Sequence, residues 1–213
     1  MKMKQRIALF GGTFDPIHLG HVEVVAHACS RFCADTVVFV PARRSPLKNA
    51  FPQATDADRL AMIGRAIIDH LDWEVSDFEL QRPPPSFTID TIRHFKASYG
   101  GHAALYWLIG ADAVQELPYW HCIDQLLDLC QIVTMTRAGR PRPDFSPFAG
   151  LWGADRIHRL QGHVIETPRI DISSTAIRRR LAAGQDVSDM VCPAVLEYIH
   201  SRGLYRGSES VER

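Results

Sequence analysis

The sequence predicts an α/β fold, a parallel sheet covered by helices and followed by a small C-terminal helical subdomain. Three observations predict it. Short apolar runs alternate with segments of helical period, each run is bounded by Pro, Gly or charge, and the alternation stops in the last fifth of the chain.

In chain order, residues 7–10 (Ile-Ala-Leu-Phe) form a first buried strand that leaves the sheet at the turn Gly11-Gly12. A helix follows from about residue 19, with its apolar period clear over 21–32. Residues 36–40, 104–109 and 132–135 are further central strands. Between them, 56–71, 86–99 and 123–129 carry apolar positions at spacings of three and four and read as helices. Strand and helix in alternation imply right-handed crossovers. Residues 137–153, rich in Pro, Gly and Arg, read as a surface loop. A short strand at 163–166 precedes two consecutive helices, 174–183 and 193–202, which are expected on one sheet edge. Residues 1–206 are therefore one domain, with about 168–206 as its helical subdomain, and 207–213 form a polar, frayed tail.

Composition narrows the function. With 213 residues and 46% hydrophobic content, one full core can be buried. Lys+Arg and Asp+Glu each number 24, so no overall basic field exists to gather long nucleic acids, and any anion site must be local. The five cysteines form no repeated CxxC pair, which argues against a disulfide framework or structural zinc and fits a reduced, cytoplasmic setting. Cys29 and Cys33 share a helix face and are expected to pack between helix and sheet. The basic N-terminus is followed by only four apolar residues, too few for a signal peptide, and no run of about 18 suggests a membrane span.

The chemistry lies in Gly11-Gly12-Thr13-Phe14-Asp15-Pro16-Ile17-His18-Leu19-Gly20-His21. Two glycines after a central strand let backbone approach an anion, Thr13 offers a hydroxyl, and Asp15-Pro16 sets a turn. His18 and His21, at i and i+3 across a loop-to-helix junction, can turn both imidazoles to one side, beside a helix N-terminus. That set suits nucleotidyl transfer, in which charge grows on phosphate oxygens. Neither GxGxxG nor GK[ST] is present, so a dinucleotide fingerprint and a P-loop are both excluded.

This segment resembles the GGTFDPxHxGH signature of bacterial nicotinate-mononucleotide adenylyltransferases, within the HxGH nucleotidyltransferase superfamily. The resemblance implies a Rossmann-like, doubly wound domain that joins ATP and nicotinate mononucleotide into deamido-NAD and releases pyrophosphate, with magnesium carried mainly by ATP. On the ATP side it implies contacts from Gly11, Gly12, Thr13, Phe14, His18, Gly20 and His21. A second motif, Ile172-Ser173-Ser174-Thr175-Ala176-Ile177-Arg178, is similar to the superfamily's ISSTxIR segment. Its hydroxyl residues suit a helix N-cap and an anion site, and Arg178 lies one turn in. Ile172, Ser173, Ser174, Thr175 and Arg178 are thus expected at the triphosphate. The expected catalytic set is His18, His21, Lys48 and Arg178. Arg179 and Arg180 point elsewhere on the helix and are read as solvated.

On the acceptor side, Ser45-Pro46-Leu47-Lys48 follows a strand where family members usually carry Pro-Pro-His-Lys. The lysine is kept and the histidine lost, so no role passes to Leu47. Ser86-Phe87-Thr88, after Pro83-Pro84-Pro85, is similar to the family segment whose helix-start N–H groups receive the pyridine carboxylate. Gly110 and Asp112 end a buried strand, where a carboxylate can accept ribose hydroxyls. Trp120 is expected to stack on the nicotinate ring. Asp15 has a sufficient structural reason in its turn, and no metal ligands are assigned. Phosphopantetheine adenylyltransferases, cytidylyltransferases, a nicotinamide mononucleotide acceptor and a non-catalytic nucleotide sensor are the alternatives.

Overall fold

The computed structural model describes residues 4–44 and 51–207. Ser45, Pro46, Leu47 and Lys48 therefore lie outside the described residues.

Six strands form one all-parallel sheet in the order β3-β2-β1-β4-β5-β6. They are β1 (Gln5–Gly12), β2 (Thr36–Pro41), β3 (Trp73–Val75), β4 (Ala103–Gly110), β5 (Gln131–Arg137) and β6 (Val164–Thr167). The helices are α1 (Leu19–Phe32), α2 (Asp56–Ala66), α3 (Thr88–Tyr99), α4 (Ile123–Leu129), α5 (Ala149–Gly162), α6 (Ser174–Ala182) and α7 (Pro193–Arg202). Strand order reverses between β1 and β4. That switch point, at the carboxyl ends of the strands, is where doubly wound sheets leave a crevice for ligands.

Alternation along β1 builds both layers of the core. Ile7 and Leu9 join Leu105, Trp107 and Ile132 against α3, α4 and α5. Ala8 and Phe10 point the other way, into a cluster with Val25 of α1, Met62 and Ile63 of α2, Ile177 of α6 and Val195 and Ile199 of α7. Burial on both faces is why the strands read as continuous apolar runs rather than as alternating ones.

Four expectations change. Gly11 and Gly12 belong to β1 itself, paired with Val40 and Pro41, and the chain turns only afterwards. The helix expected over 56–71 ends at Ala66, and the next residues lead into the three-residue strand β3. Its apolar period misleads because Ile68 and Leu71 are exposed, at 71% and 97%. The stretch expected to be loop up to residue 153 contains the start of α5, kinked at Gly153 (φ 75°), whose Trp152, Ile157 and Leu160 are buried. Finally, α6 and α7 cover the α1–α2 face and share its apolar cluster, rather than extending a sheet edge. Of the cysteine pair, Cys29 is buried, while Cys33 is exposed at the left-handed C-cap of α1. No helix among the described residues is long and apolar enough to cross a membrane.

Candidate active site

A cleft of about 850 Å³ opens at the switch point. All twelve residues expected at ATP line it: Gly11, Gly12, Thr13, Phe14, His18, Gly20, His21, Ile172, Ser173, Ser174, Thr175 and Arg178. Gly110, at the end of β4, lines it as well.

The histidine pair is built by the N-terminus of α1. His18 is the N-cap in extended conformation, and its backbone N–H donates to Nδ1 of His21 at 3.3 Å. The two imidazoles stack with centroids 3.6 Å apart and planes 23° from parallel. His21 is held from the other side by the edge of Phe14 at 5.1 Å. His18 is 7% exposed, and burial lowers its pKa to about 4, which favours the neutral imidazole near neutral pH. Its Nδ1 is buried without a partner among the described residues, a group that the fold leaves costly.

The glycines of the motif also have packing reasons, beside their expected role as points of backbone approach to an anion. A Cβ on Gly11 would fall 2.5 Å from the Trp107 ring, and one on Gly12 would fall 2.7 Å from Phe14. At Gly20 the same atom would meet His18 Nδ1 at 3.0 Å and Ile170 at 3.3 Å. The third residue of HxGH is therefore small so that the first histidine can fold back over it.

Hydroxyls of the second motif are partly committed to structure. Ser173 Oγ accepts from the Ala176 N–H at 3.2 Å and caps α6, and Ser174 Oγ donates to the Pro16 carbonyl at 2.8 Å. What α6 presents to the cleft is its first-turn N–H groups and Arg178. Arg178 Nη1 donates to the Asp15 carbonyl at 2.6 Å and lies 3.8 Å from Asp15 Oδ2. The two motifs, 163 residues apart between Asp15 and Arg178, thus touch directly.

Two side chains hold this arrangement: Asp15, read from sequence only as a turn residue, and Arg59, which the sequence reading did not single out. Asp15 is 4% exposed; its Oδ1 accepts from the Ala54 N–H at 3.1 Å and the Tyr205 hydroxyl at 2.7 Å, and its Oδ2 from the Gln53 N–H at 2.8 Å. Arg59 is fully buried, and its Nη1 donates to the carbonyls of Thr13 at 2.7 Å and Ala42 at 2.8 Å. Its Nη2 meets Asp56 at 2.6 Å. One guanidinium thereby joins the signature loop, the exit of β2 and the start of α2. The available signal was an arginine immediately beside the apolar stripe Met62-Ile63, where a solvated side chain does not belong. Met135, Arg137, Thr167 and Ile170 also line the cleft and carried no motif.

The acceptor-side residues divide. Asp112 lines a neighbouring cleft of about 470 Å³ that shares Gly110, Met135 and Arg137 with the first. It lies in a 3-10 segment, Ala111–Tyr119, whose N-cap is Gly110. Ser86, Phe87, Thr88 and Trp120 line neither cleft. Helix α3 starts at Thr88 with Phe87 as its N-cap and no side-chain cap, so Ser86 does not cap it. The Ser86 N–H instead donates to the Arg44 carbonyl at 3.2 Å. Phe87 and Trp120 pack on the same apolar cluster, and Phe87 tilts over His121 at 4.5 Å. The Trp120 indole N–H is buried with no partner among the described residues.

The fold and this cleft define a class: residues 9–180 match the cytidylyltransferase-like family of nucleotidyltransferases. The chain is 39% identical over 202 residues to the probable nicotinate-nucleotide adenylyltransferase of Moorella thermoacetica, covering 94% of this chain and 92% of that one. It is 38% identical over 213 residues to the enzyme of the same name from Pseudomonas aeruginosa, covering 96% and 99%. The chain belongs to the nicotinate-nucleotide adenylyltransferase family. Its fold is similar to the Plasmodium falciparum nicotinic acid mononucleotide adenylyltransferase complexed with NaAD, with TM-score 0.70 at 18% identity, covering 94% of this chain and 97% of that one.

Proposed function

We propose that this chain transfers the adenylyl group of ATP to nicotinate mononucleotide, giving nicotinate adenine dinucleotide and pyrophosphate. The observation that carries the proposal is the convergence of the two sequence motifs on one cleft at the switch point of a doubly wound sheet.

In this reading the mononucleotide phosphate attacks the α-phosphorus of ATP in line, the bond to the β-phosphate oxygen breaks, and pyrophosphate leaves. The chain supplies charge and position rather than a covalent intermediate. His18 and His21 face the phosphates as a stacked pair. An arriving polyphosphate favours the protonated form of His18 that burial alone disfavours. Arg178 and the first turn of α6 take the leaving oxygens, and Lys48 adds a further cation.

Magnesium is assigned to the nucleotide rather than to the protein. Among the described residues Asp15 is the only carboxylate lining the cleft, and both of its oxygens already accept hydrogen bonds. Among the described residues no group of three or more His, Cys, Asp or Glu could hold a metal ion. Carried in with ATP, a hard cation that keeps most of its waters would supply charge neutralisation on the polyphosphate there.

On the acceptor side, the N–H groups at the start of α3 are suited to a pyridine carboxylate, and the Trp120 indole to the ring. Asp112, beside Gly110, would accept from a ribose hydroxyl. Pyrophosphate release with ATP and either nicotinate or nicotinamide mononucleotide tests the proposal. The acid should be preferred in kcat/KM by at least about tenfold, since an amide cannot offer charge to the helix start. A ratio near one, or one favouring the amide, sinks the choice of acceptor.

A further inference from the structure

The segment after α7 reaches back to the triphosphate side of the cleft. Tyr205, three residues beyond the end of α7 at Arg202, is 9% exposed and packs in the cluster of Phe14 and Ile17. Its φ of 61° is left-handed, a conformation that a non-glycine residue keeps only where its surroundings impose it. Phe14, which precedes Asp15, shares that conformation at φ 50°. Next to that strained Phe14, the Tyr205 hydroxyl donates to Asp15 Oδ1 at 2.7 Å. Burial and the Asp15 charge push the phenol's pKa up, so the hydroxyl stays a donor.

Asp15 passes this constraint on. Its carboxylate ties down the backbone of Gln53 and Ala54, where the chain borders the cleft, and its carbonyl receives Arg178 Nη1 at 2.6 Å. We infer that Tyr205 is a positioning residue for the triphosphate: its hydroxyl orients the Asp15 carboxylate, and Asp15 sets the Arg178 guanidinium at the lip of the cleft. The inference rests on the reading above, in which Arg178 contacts the ATP phosphates.

Tyr205→Phe removes the hydroxyl and leaves the ring in its apolar seat. Tyr198→Phe is the matched control, because that hydroxyl, on α7 itself, donates to Asp58 at 2.9 Å and has no bond to Asp15. Affinity for α,β-methylene-ATP and steady-state kinetics are measured for both variants, for Arg178→Ala, and for Tyr205→Phe combined with Arg178→Ala. Tyr205→Phe should weaken the ATP analogue and lower kcat/KM for ATP by about tenfold, with KM for the mononucleotide changed less than about twofold. Tyr198→Phe should leave the analogue's affinity unchanged. In the Arg178→Ala background the Tyr205 effect should shrink below about twofold, because coupled residues are non-additive.

Undiminished analogue affinity in Tyr205→Phe, equal losses in both backgrounds, or an equal loss in Tyr198→Phe would each overturn the positioning role. A wild-type chain that binds the analogue yet releases no pyrophosphate with nicotinate mononucleotide sinks the proposed reaction alone, and the affinity series still decides on Tyr205. A wild-type chain that does not bind the analogue overturns both.

Discussion

The two ends of this site are built differently. On the triphosphate side, twelve residues from two motifs face one cleft, and their frame is buried and bonded: Arg59 to Thr13 and Ala42, Asp15 to Gln53, Ala54 and Tyr205, Ser174 to Pro16. On the acceptor side, Ser86, Phe87, Thr88 and Trp120 sit at the starts and ends of short elements and line neither cleft. Their contacts are the Ser86 N–H on the Arg44 carbonyl, a Ser86 hydrogen bond to the buried Glu79 that also accepts from Thr91 of α3, and apolar packing of Phe87 and Trp120. Under the proposed assignment, the side read for ATP rests on a cleft with a bonded frame, whereas the residues read for the acceptor lie at element ends outside both clefts, where loops carry specificity.

The comparison can be broken first at Arg59. Arg59→Met removes the buried guanidinium that donates to the half-buried carbonyls of Thr13 and Ala42 and should cost about 2–5 kcal/mol, read as a shift of the urea midpoint. A loss within about 0.5 kcal/mol would show that the frame on the triphosphate side is not what orders it. Next, His18→Ala should lower kcat by about 10²-fold or more with a modest change in KM, measured by pyrophosphate release. Undiminished turnover would remove His18 from the chemistry.

His18 also predicts acid sensitivity of the empty protein. Its folded pKa, about 4, lies below the unfolded value of 6.5, so the unfolded chain binds the proton first as pH falls. Stability attached to the neutral imidazole is full above pH 6.5 and lost as pH falls toward 4, by about 2 kcal/mol at pH 5. Denaturant melts of wild type and His18→Gln between pH 7 and 5 should differ in slope by that amount, and parallel curves would contradict it. The smallest effect is expected on the acceptor side: Trp120→Ala should raise KM for the mononucleotide about tenfold while ATP parameters stay within about twofold. An equal loss for both substrates would show Trp120 to be core packing and would dissolve the contrast between the two sides.

Much of this was legible along the chain, for identifiable reasons. Four of the six strands, β1, β2, β4 and β5, stand out because both faces of the sheet are buried there, which writes each as an apolar run, while the edge strand β6 is only partly buried. β3 does not stand out, since three edge residues cannot carry a period, and the exposed Ile68 and Leu71 extend the pattern of α2 past its end. α5 was hidden by Gly150 and Gly153 and by the Pro-rich stretch before it. Motif glycines were visible as glycines, but their packing reasons were not: the Trp107 ring at Gly11 and the folded-back imidazole at Gly20 come from other parts of the fold.

By itself the sequence determined the class of chemistry and picked out residues that line one cleft, because a histidine pair at i and i+3 and a capped, arginine-bearing helix start are local patterns. Only the tertiary structure decided what holds them. The carbonyls of Thr13 and Ala42 meet on Arg59, and Asp15 gathers Ala54, Arg178 and Tyr205. The physical reason is that a buried polar group must be satisfied wherever a partner can reach it, and in a doubly wound sheet that partner is brought by the fold from far along the chain.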